Sequence, residues 1–305
     1  MQQTPPKSSR KTILADAGLF YAAAVWGATF FIIKSALDGV DPVVMVGYRF
    51  LLAGLLLLAV LIYQKKPVLD GIGRAFFMSV ILWMLHVPQT VGLVYTTASN
   101  SGLITGLFVA FVPVFLVLVF RRRPGKFDVM ASVISLAGLW VLTGGMSDVN
   151  VGDLITLVGA MAYALHVLYS DKYMKSGVDP VLISCQQFVF VGLMSLATAL
   201  VLGRSFEIST SSAWRAIVFV ALFPTLSAFV IQMFAQRITE PLKVSLIFAS
   251  QPVFAAMFAW TLGGEDPVLH RALGGILIVV ALIVASLSQR SNNRGRNTGF
   301  SHSGR

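Results

Sequence analysis

Charged side chains are scarce in this sequence. Only 12% of its 305 residues are charged and 56% are hydrophobic, whereas a soluble globular protein averages about 25% charged residues. The mean hydropathy is +0.81. This composition excludes a soluble globular domain and predicts an integral membrane protein in which most of the chain spans the bilayer.

Several chemical signatures are also missing. Cys185 is the only cysteine, so an intramolecular disulfide is excluded. The sequence has no P-loop, no His-Glu-x-x-His pair and no Gly-x-Ser-x-Gly elbow, and its four histidines lack the spacing of metal ligands. These absences argue against ATP-driven pumping, a membrane-embedded enzyme, a metal site and a cofactor.

The hydrophobic residues that are present form ten runs, separated by glycine, proline and charged residues. Each run has about the 20 residues that a helix needs to cross the bilayer core. We therefore predict an all-α membrane protein with transmembrane helices 1 to 10 over residues 16–36, 42–63, 73–94, 98–120, 127–145, 152–172, 180–202, 213–235, 242–262 and 269–288.

Basic residues predict the orientation of these helices. With the N-terminus in the cytoplasm, 18 of the 23 Lys and Arg residues fall on the cytoplasmic side; of the rest, Arg49 lies within a span and four lie outside, namely Lys34, Arg204, Arg215 and Arg271. Cytoplasmic loops carry such an excess, which explains the net charge of +10 without a nucleic-acid partner. Both termini are therefore predicted to be cytoplasmic, residues 1–15 as a tail and the basic residues 289–305 as a disordered one.

One stretch of the sequence occurs twice. Residues 101–115 (SGLITGLFVAFVPVF) match residues 240–254 (EPLKVSLIFASQPVF) at six positions with a constant offset of 139. Pro113 and Pro252 are among the matches, and each lies inside an otherwise apolar run. A proline at such a place is tolerated in a membrane where neighbouring helices or water satisfy the freed carbonyl. Matching broken segments in two halves of a chain are the best sequence indication of a transport site.

The repeat extends to a second pair of segments. Residues 41–59 match residues 179–197 at an offset of 138. Helix 2 thus repeats as helix 7, and helix 4 as helix 9. Because five is an odd number, the second copy crosses the membrane in the opposite sense. The sequence therefore predicts two inverted five-helix repeats, over residues 16–145 and 152–288.

Several short motifs carry a resemblance to a known family. They are WGATF at 26–30, RFLLA at 49–53, GDL at 152–154, QPV at 251–253, GGE at 263–265 and GG at 274–275. In this order and spacing, over residues 16–288, the chain resembles the ten-helix EamA-type transporters of the drug/metabolite transporter superfamily. The resemblance implies a central cavity lined by helices 1–4 and 6–9, with helices 5 and 10 peripheral, and export or exchange of small metabolites. One departure is that helix 4 ends in three arginines, at 121–123, rather than in a Gly-Glu pair.

Arg49 is the only charged residue well inside a predicted span. A charge at this depth needs a partner or a wet cavity. It either captures an anionic group of the substrate, such as a carboxylate, or has a structural role, capping loop carbonyls or pairing with Asp38, Asp41 or Glu265. Its equivalent in the repeat is Gln187, which is polar and neutral, so both positions are predicted to face the cavity.

Other polar and aromatic residues complete the predicted substrate site. Trp83 and His86 lie three residues apart on helix 3, and Tyr163 and His166 have the same spacing on helix 6, so each pair shares a helix face. The histidines either bind substrate and shuttle a proton, or are neutral and hydrogen-bonded to a neighbouring helix. The predicted set also contains Trp26, Thr105, Gln232 and Gln251, and the predicted hinges are Pro88, Pro113, Pro224 and Pro252.

These features predict a secondary transporter in the cytoplasmic (inner) membrane. We expect an exporter of small organic metabolites, such as amino acids, related compounds or drugs, that works by alternating access; a passive channel or facilitator is the alternative. The expected partners are the lipid bilayer, the small-molecule substrate, and a proton or counter-substrate for coupling. A homodimer through helices 5 and 10 is a further expectation.

Overall fold

The computed structural model describes residues 10–143, 150–261 and 269–298, and all the regular secondary structure of these residues is helical. Their helical elements group into ten segments, labelled α1 to α10 in chain order. The first five are α1 Arg10–Ala36, α2 Pro42–Tyr63, α3 Ile72–Tyr95, α4 in two pieces Ala98–Gly106 and Phe108–Leu118, and α5 Lys126–Thr143. The others are α6 Val151–Lys175, α7 Pro180–Val201, α8 in three pieces Ser211–Val220, Ala221–Ser227 and Ala228–Ala235, α9 in two pieces Pro241–Phe248 and Gln251–Thr261, and α10 Leu269–Thr298.

Length and hydropathy of the described segments agree with membrane crossing. Seven helices, α1 to α4 and α6 to α8, are long and apolar enough to span a bilayer, and α10 contains a shorter apolar stretch over residues 272–284. In α9 a turn at residues 249–250 divides the apolar run into two short helices. The predicted all-helical, multi-span class is confirmed.

Two helix ends differ from their predicted positions. The structure begins α1 at Arg10 rather than at residue 16, because Asp16 is accommodated within the helix by Lys243, whose Nζ lies 2.7 Å from its Oδ2. At the other end, α10 remains helical to Thr298. Residues 289–298 are therefore helical where composition predicts a disordered tail; polarity excludes this stretch from the bilayer but does not prevent a helix. The predicted GGE motif with Glu265 lies outside the described residues.

Helices α2 and α7 pack closely at two glycines that match in the repeat. A Cβ atom added to Gly54 would lie 2.8 Å from the backbone nitrogen of Val189, and one added to Gly192 would lie 2.8 Å from that of Leu51. Each glycine thus admits the backbone of the other helix. Small residues of this kind allow close helix packing in membranes.

Ion pairs at both ends of the α2–α7 contact follow the same relation. Asp41 caps the start of α2 and lies 3.9 Å from Arg204, just after α7. Asp179 caps the start of α7 and lies 2.6 Å from Lys66, just after α2. Lys66 and Arg204 are separated by the repeat offset of 138, as are the two aspartates. The two helices are therefore antiparallel and related by an approximate twofold axis.

The remaining helix contacts show the same approximate symmetry. α3 packs against α6 as α8 packs against α1, and α4 contacts α9. α5 packs mainly against α10, where a Cβ atom on Gly138 would lie 2.9 Å from the carbonyl oxygen of Gly274. The largest buried core joins α1 to α4 with α6 to α9, which leaves α5 and α10 at the periphery of the bundle.

Candidate functional site

A small cavity lies in the centre of this core. Its volume of about 30 Å³ is room for one or two water molecules. Among the described residues, α1, α2, α3, α4, α6, α8 and α9 contribute to its wall, and α7 does not. The lining residues are Trp26, Thr29, Phe30, Ile33, Arg49, Leu85, His86, Gln89, Thr90, Leu93, Thr105, Tyr163, Pro224, Phe229 and Gln251.

Arg49 and His86 form a hydrogen-bonded pair in the wall. The guanidinium Nη2 of Arg49 donates to Nδ1 of His86 across 3.1 Å. Arg49 is only 3% exposed, and its Nε has no hydrogen-bond partner. His86 is also buried, its Nε2 is likewise without a partner, and its ring lies 4.9 Å from that of Phe50. Two buried N–H groups at this site thus lack an acceptor.

No acidic side chain compensates the charge of Arg49 in the part of the chain that the structure describes. None of the ion pairs between the described residues includes Arg49. Asp41, one of the predicted structural partners, instead accepts hydrogen bonds from backbone N–H groups at the start of α2. Asp38 lines a separate surface pocket. The buried guanidinium is therefore available to an anion that enters the cavity.

The two interrupted helices place one polar side chain each at the cavity. Thr105 lies just before the break in α4 and accepts a hydrogen bond from Gln89 at 3.0 Å. Gln251 lies just after the break in α9 and donates to the hydroxyl of Tyr163 at 3.2 Å. In both contacts the hydroxyl oxygen is the acceptor, which leaves its hydrogen available to another acceptor.

Trp26 is held in the wall by an irregular turn in α8. Residues 221–227 form a wider π-helical turn around Pro224. Pro224 cannot donate to the carbonyl of Val220, and the hydroxyl of Thr225 donates to it instead at 2.7 Å. The indole N–H of Trp26 then donates to the carbonyl of Pro224 at 2.8 Å. The π turn thus fixes the orientation of the indole.

Four residues of the predicted site lie outside the cavity wall. His166 and Gln187 bond to each other, with 2.9 Å between Nε2 and Oε1. Gln232 donates to Gln236 at 3.0 Å, and Trp83 is half-buried with its N–H unpartnered. The His166–Gln187 pair nevertheless adjoins the site, because the ring of Phe229 lies 5.6 Å from that of His86 and 5.9 Å from that of His166.

Several lining residues are absent from the predicted set. Gln89 and Thr90 follow His86 on α3, and their polarity within an apolar span was the available signal. Thr29 and Phe30 belong to the WGATF stretch. Phe229 carried no signal, because an aromatic residue in an apolar helix is more often core than site.

Comparison with known proteins identifies the family. The profile of the EamA-like transporter family matches residues 13–144 and 150–287. The chain belongs to this family. An uncharacterized transporter of Archaeoglobus fulgidus is 30% identical over 279 residues, which cover 91% of this chain and 87% of that protein. The uncharacterized inner membrane transporter YedA of Escherichia coli K12 is 28% identical over 289 residues, which cover 90% of this chain and 92% of YedA.

A solved crystal structure has the same fold. It matches with a TM-score of 0.77 at 19% identity, covering 91% of this chain and 98% of that one. The present protein is thus an EamA-like, multi-pass membrane transporter. Among its described residues no group of three or more His, Cys, Asp or Glu side chains could hold a metal ion.

The four prolines of this EamA-like transporter differ in their effect on the backbone. Pro88 lies within the continuous helix α3, and Pro224 within the π turn of α8. The break in α4 falls at Leu107, well before Pro113, whereas the break in α9 immediately precedes Gln251 and Pro252. The matching prolines therefore do not produce breaks at matching positions.

Both ends of the bundle are closed by polar contacts. Near the start of α2, Lys34 donates to the carbonyls of Leu93, Val94 and Thr96 at 2.6, 3.2 and 3.0 Å. Beside it lies a surface pocket of about 400 Å³. At the opposite end Lys243 pairs with Asp16, and Lys175 pairs with Glu240 at 3.0 Å and with Asp171 at 2.7 Å. The central cavity therefore lies between two sets of polar contacts, one toward each end of the bundle.

Proposed function

We propose that this EamA-like transporter exports small organic metabolites with a carboxylate group, such as amino acids and related compounds, by alternating access. One observation carries the proposal: the buried Arg49 faces the central cavity and has no acidic partner among the residues that the structure describes. Burial of a lone guanidinium is costly, and an entering carboxylate offsets this cost with two parallel hydrogen bonds.

The donors around the cavity favour the same ligand. The Nε–H of Arg49 and the free ring nitrogen of His86 lack partners. The hydroxyls of Thr105 and Tyr163 each retain a hydrogen for donation. A carboxylate is acceptor-only and can receive all of these bonds, whereas a cation without a carboxylate would be repelled by Arg49.

The aromatic part of the wall favours an apolar or aromatic substituent on the carboxylate. The ring centroid of Trp26 lies 5.0 Å from that of Phe229 and 6.3 Å from that of Tyr163. Such edge-on aromatic surfaces bind apolar groups and rings. The substrate class is therefore a small carboxylate with a hydrophobic or aromatic part.

Alternating access follows from the size and closure of the cavity. A volume of about 30 Å³ is far below the 300 Å³ or more of a typical ligand pocket. A metabolite therefore binds in a more open state, reached when the two halves move and one set of end contacts breaks. Pro88, Pro113, Pro224 and Pro252 are proposed as hinges for that motion.

A ligand panel tests the site. Thermal shifts of the purified protein are measured with acetate, lactate and benzoate, each beside its neutral amide, and with leucine and phenylalanine. We expect at least one carboxylate, and not its amide, to stabilise the wild type, and the shift to disappear in Arg49→Gln. Arg215→Gln, at an exposed arginine, is the matched control and should retain the shift. A carboxylate shift that survives Arg49→Gln contradicts the proposal.

Flux measurements separate a carrier from a passive channel or facilitator. In proteoliposomes, accumulation of a panel carboxylate against its gradient, driven by a pH difference or a counter-substrate, requires a carrier; simple equilibration indicates a channel. The double change Pro113→Ala and Pro252→Ala should reduce this flux while leaving membrane insertion unchanged. Normal flux in the double variant argues against the hinges.

The orientation and assembly of the protein are part of the proposal. Both termini are placed in the cytoplasm, which reporter fusions at Met1 and Arg305 test directly. The homodimer through α5 and α10 stays a prediction; these helices present exposed apolar side chains such as Val133 and Ile276 to the lipid or to a second copy. Cross-linking in native membranes distinguishes contact with a second copy from contact with lipid.

A further inference from the structure

We propose that His86 takes up one proton when a carboxylate binds to Arg49, so that substrate and proton cross the membrane together. This inference rests on the proposed role of the cavity as a carboxylate site. It follows from the hydrogen bond between the two residues and from the orphan nitrogen on the other side of the imidazole.

The bond fixes the protonation state of the empty site. A guanidinium can only donate hydrogen bonds, so Nδ1 of His86, 3.1 Å from Nη2 of Arg49, must be the acceptor. The imidazole is therefore neutral and carries its hydrogen on Nε2. That nitrogen is buried and has no partner in hydrogen-bond geometry. The empty site thus stores an unused donor beside an occupied acceptor.

Protonation of the empty site is strongly unfavourable. A second proton on the imidazole would set two N–H groups against each other and bring two positive charges about 3 Å apart in a buried pocket. These two N–H groups would also lack acceptors. His86 therefore stays neutral while the cavity contains only water.

A bound carboxylate reverses this preference. Its two oxygens can accept from Arg49 and, once the Arg49–His86 bond has opened, from the freed Nδ1–H of a protonated His86. The negative charge then lies between two positive ones. Substrate binding and proton binding therefore promote each other by the same factor, as linkage requires. No bond of the substrate is made or broken: the proton enters on His86 and leaves with the carboxylate.

The surroundings of His86 supply no competing acid. Arg49 faces it from α2, and His166 approaches from α6 beyond the ring of Phe229, itself on α8. On α3 itself Gln89 lies close by. The charge of Arg49 disfavours a positive His86, and His166 would do the same only when it is itself protonated. Within the described lining of the cavity there is no Asp or Glu, so the substrate itself is the counter-ion.

The charge balance predicts how the cycle responds to gradients. The empty site carries the single positive charge of Arg49, and the site with one carboxylate and one proton carries the same net charge. For a monocarboxylate without an ammonium group the cycle is therefore electroneutral, whereas a zwitterionic amino acid that crosses with one proton moves one positive charge. Its direction follows the combined gradients of carboxylate and proton, so a high internal metabolite concentration drives export of the acid.

Two measurements on the purified full chain test the proposal. The probe is the panel carboxylate with the largest Arg49-dependent thermal shift. In lightly buffered solution, its addition should cause uptake of one proton per bound molecule between pH 6.5 and 8. The affinity should correspondingly fall by about tenfold for each unit of rising pH. The panel carboxylates remain ionised over this range, so the ligand contributes no protons.

His86→Gln is the decisive variant, because its amide oxygen can accept from Arg49 but cannot titrate. Its affinity should be independent of pH. His166→Gln should retain the pH dependence of the wild type, whatever its affinity. Proton uptake by the wild type needs no variant, so the proposal remains testable if His86→Gln does not fold.

The outcomes separate the two proposals. Carboxylate binding that is lost in Arg49→Gln but takes up no proton overturns the role of His86 and leaves the proposed function intact. Proton uptake that persists in His86→Gln must occur at another group, and this result also overturns the role of His86. If no panel carboxylate binds, the proposed function fails and the proton proposal fails with it.

Discussion

The packing of α2 against α7 supports a quantitative prediction. Gly54→Ala would place a methyl group 2.8 Å from the backbone nitrogen of Val189, at least about 0.6 Å inside ordinary van der Waals contact. The neighbour is backbone and cannot rotate away, so the two helices must separate. Gly192→Ala would meet the backbone of Leu51 at the same distance. The approximate twofold axis therefore predicts equal effects for the two substitutions.

The expected magnitude is that of an overpacked core. Inserting a methyl group into a close-packed contact costs about 1–3 kcal/mol. Part of this is offset because alanine is a better helix former than glycine, by about 1 kcal/mol. The net loss is then up to about 2 kcal/mol, toward the upper value here because the obstructing atoms are backbone, and it lowers Tm by a few degrees at roughly 2–4 °C per kcal/mol.

The assay is thermal unfolding in detergent, followed by transport in proteoliposomes. Gly73→Ala is the matched control, since its new methyl group would meet nothing within 4 Å, and it should keep or raise Tm. Both crossing variants should also reduce flux, because they separate α2, which carries Arg49, from its partner. A Tm that is unchanged in either one, or lowered equally by Gly73→Ala, would refute the reasoning.

Three further predictions concern the ends of the helices. Lys65 adopts a left-handed backbone conformation (φ 54°), as its repeat equivalent Gly203 does (φ 62°). Because glycine adopts this conformation without strain, Lys65→Gly should raise stability by about 0.5–1 kcal/mol and Gly203→Ala should lower it. Both changes are measured as shifts of Tm. Burial by itself would raise the pKa of Asp179, but hydrogen bonds from Lys66 and two backbone N–H groups lower it. The folded pKa of Asp179 lies below the unfolded value of about 3.9. The contribution of Asp179 to stability is therefore complete at neutral pH and is lost as the pH falls through the folded pKa. Asp179→Asn should remove this acid-sensitive part of Tm. Lys34→Met removes three hydrogen bonds to the end of α3, and hydrogen–deuterium exchange there should accelerate.

The features that depend on local sequence could be predicted. The Asp-Pro pairs at 41–42 and 179–180 specify capped helix starts, because the carboxylate accepts from backbone N–H groups and proline fits the first helical position. The predicted bounds of helix 2 are those of α2. The repeat offset likewise indicated which helices are equivalent, since matched residues occupy matched places.

The pairing of side chains across helices could not be predicted. Arg49 and Gln187 match in the repeat, but only Arg49 lines the cavity. Which way a buried polar residue faces depends on the rotation and depth of its helix against neighbours far away in the chain. The Arg49–His86 bond joins residues 37 positions apart, and no spacing rule selects it over a pairing with Asp38 or Asp41.

The difference between Arg49 and Gln187 shows how a symmetric scaffold can support asymmetric chemistry. The glycines, helix caps and ion pairs of α2 and α7 match in the two halves, so the same packing is present at either end of the α2–α7 contact. The polar positions do not match: Arg49 bonds to His86 at the cavity, whereas Gln187 bonds to His166 behind Phe229. A second arginine at 187 would place two buried positive charges within one core, and the described lining of the cavity contains no Asp or Glu to compensate them. One charged and one neutral position instead suit the binding of the single anion that we propose, and the repeated packing suits the proposed motion of the two halves.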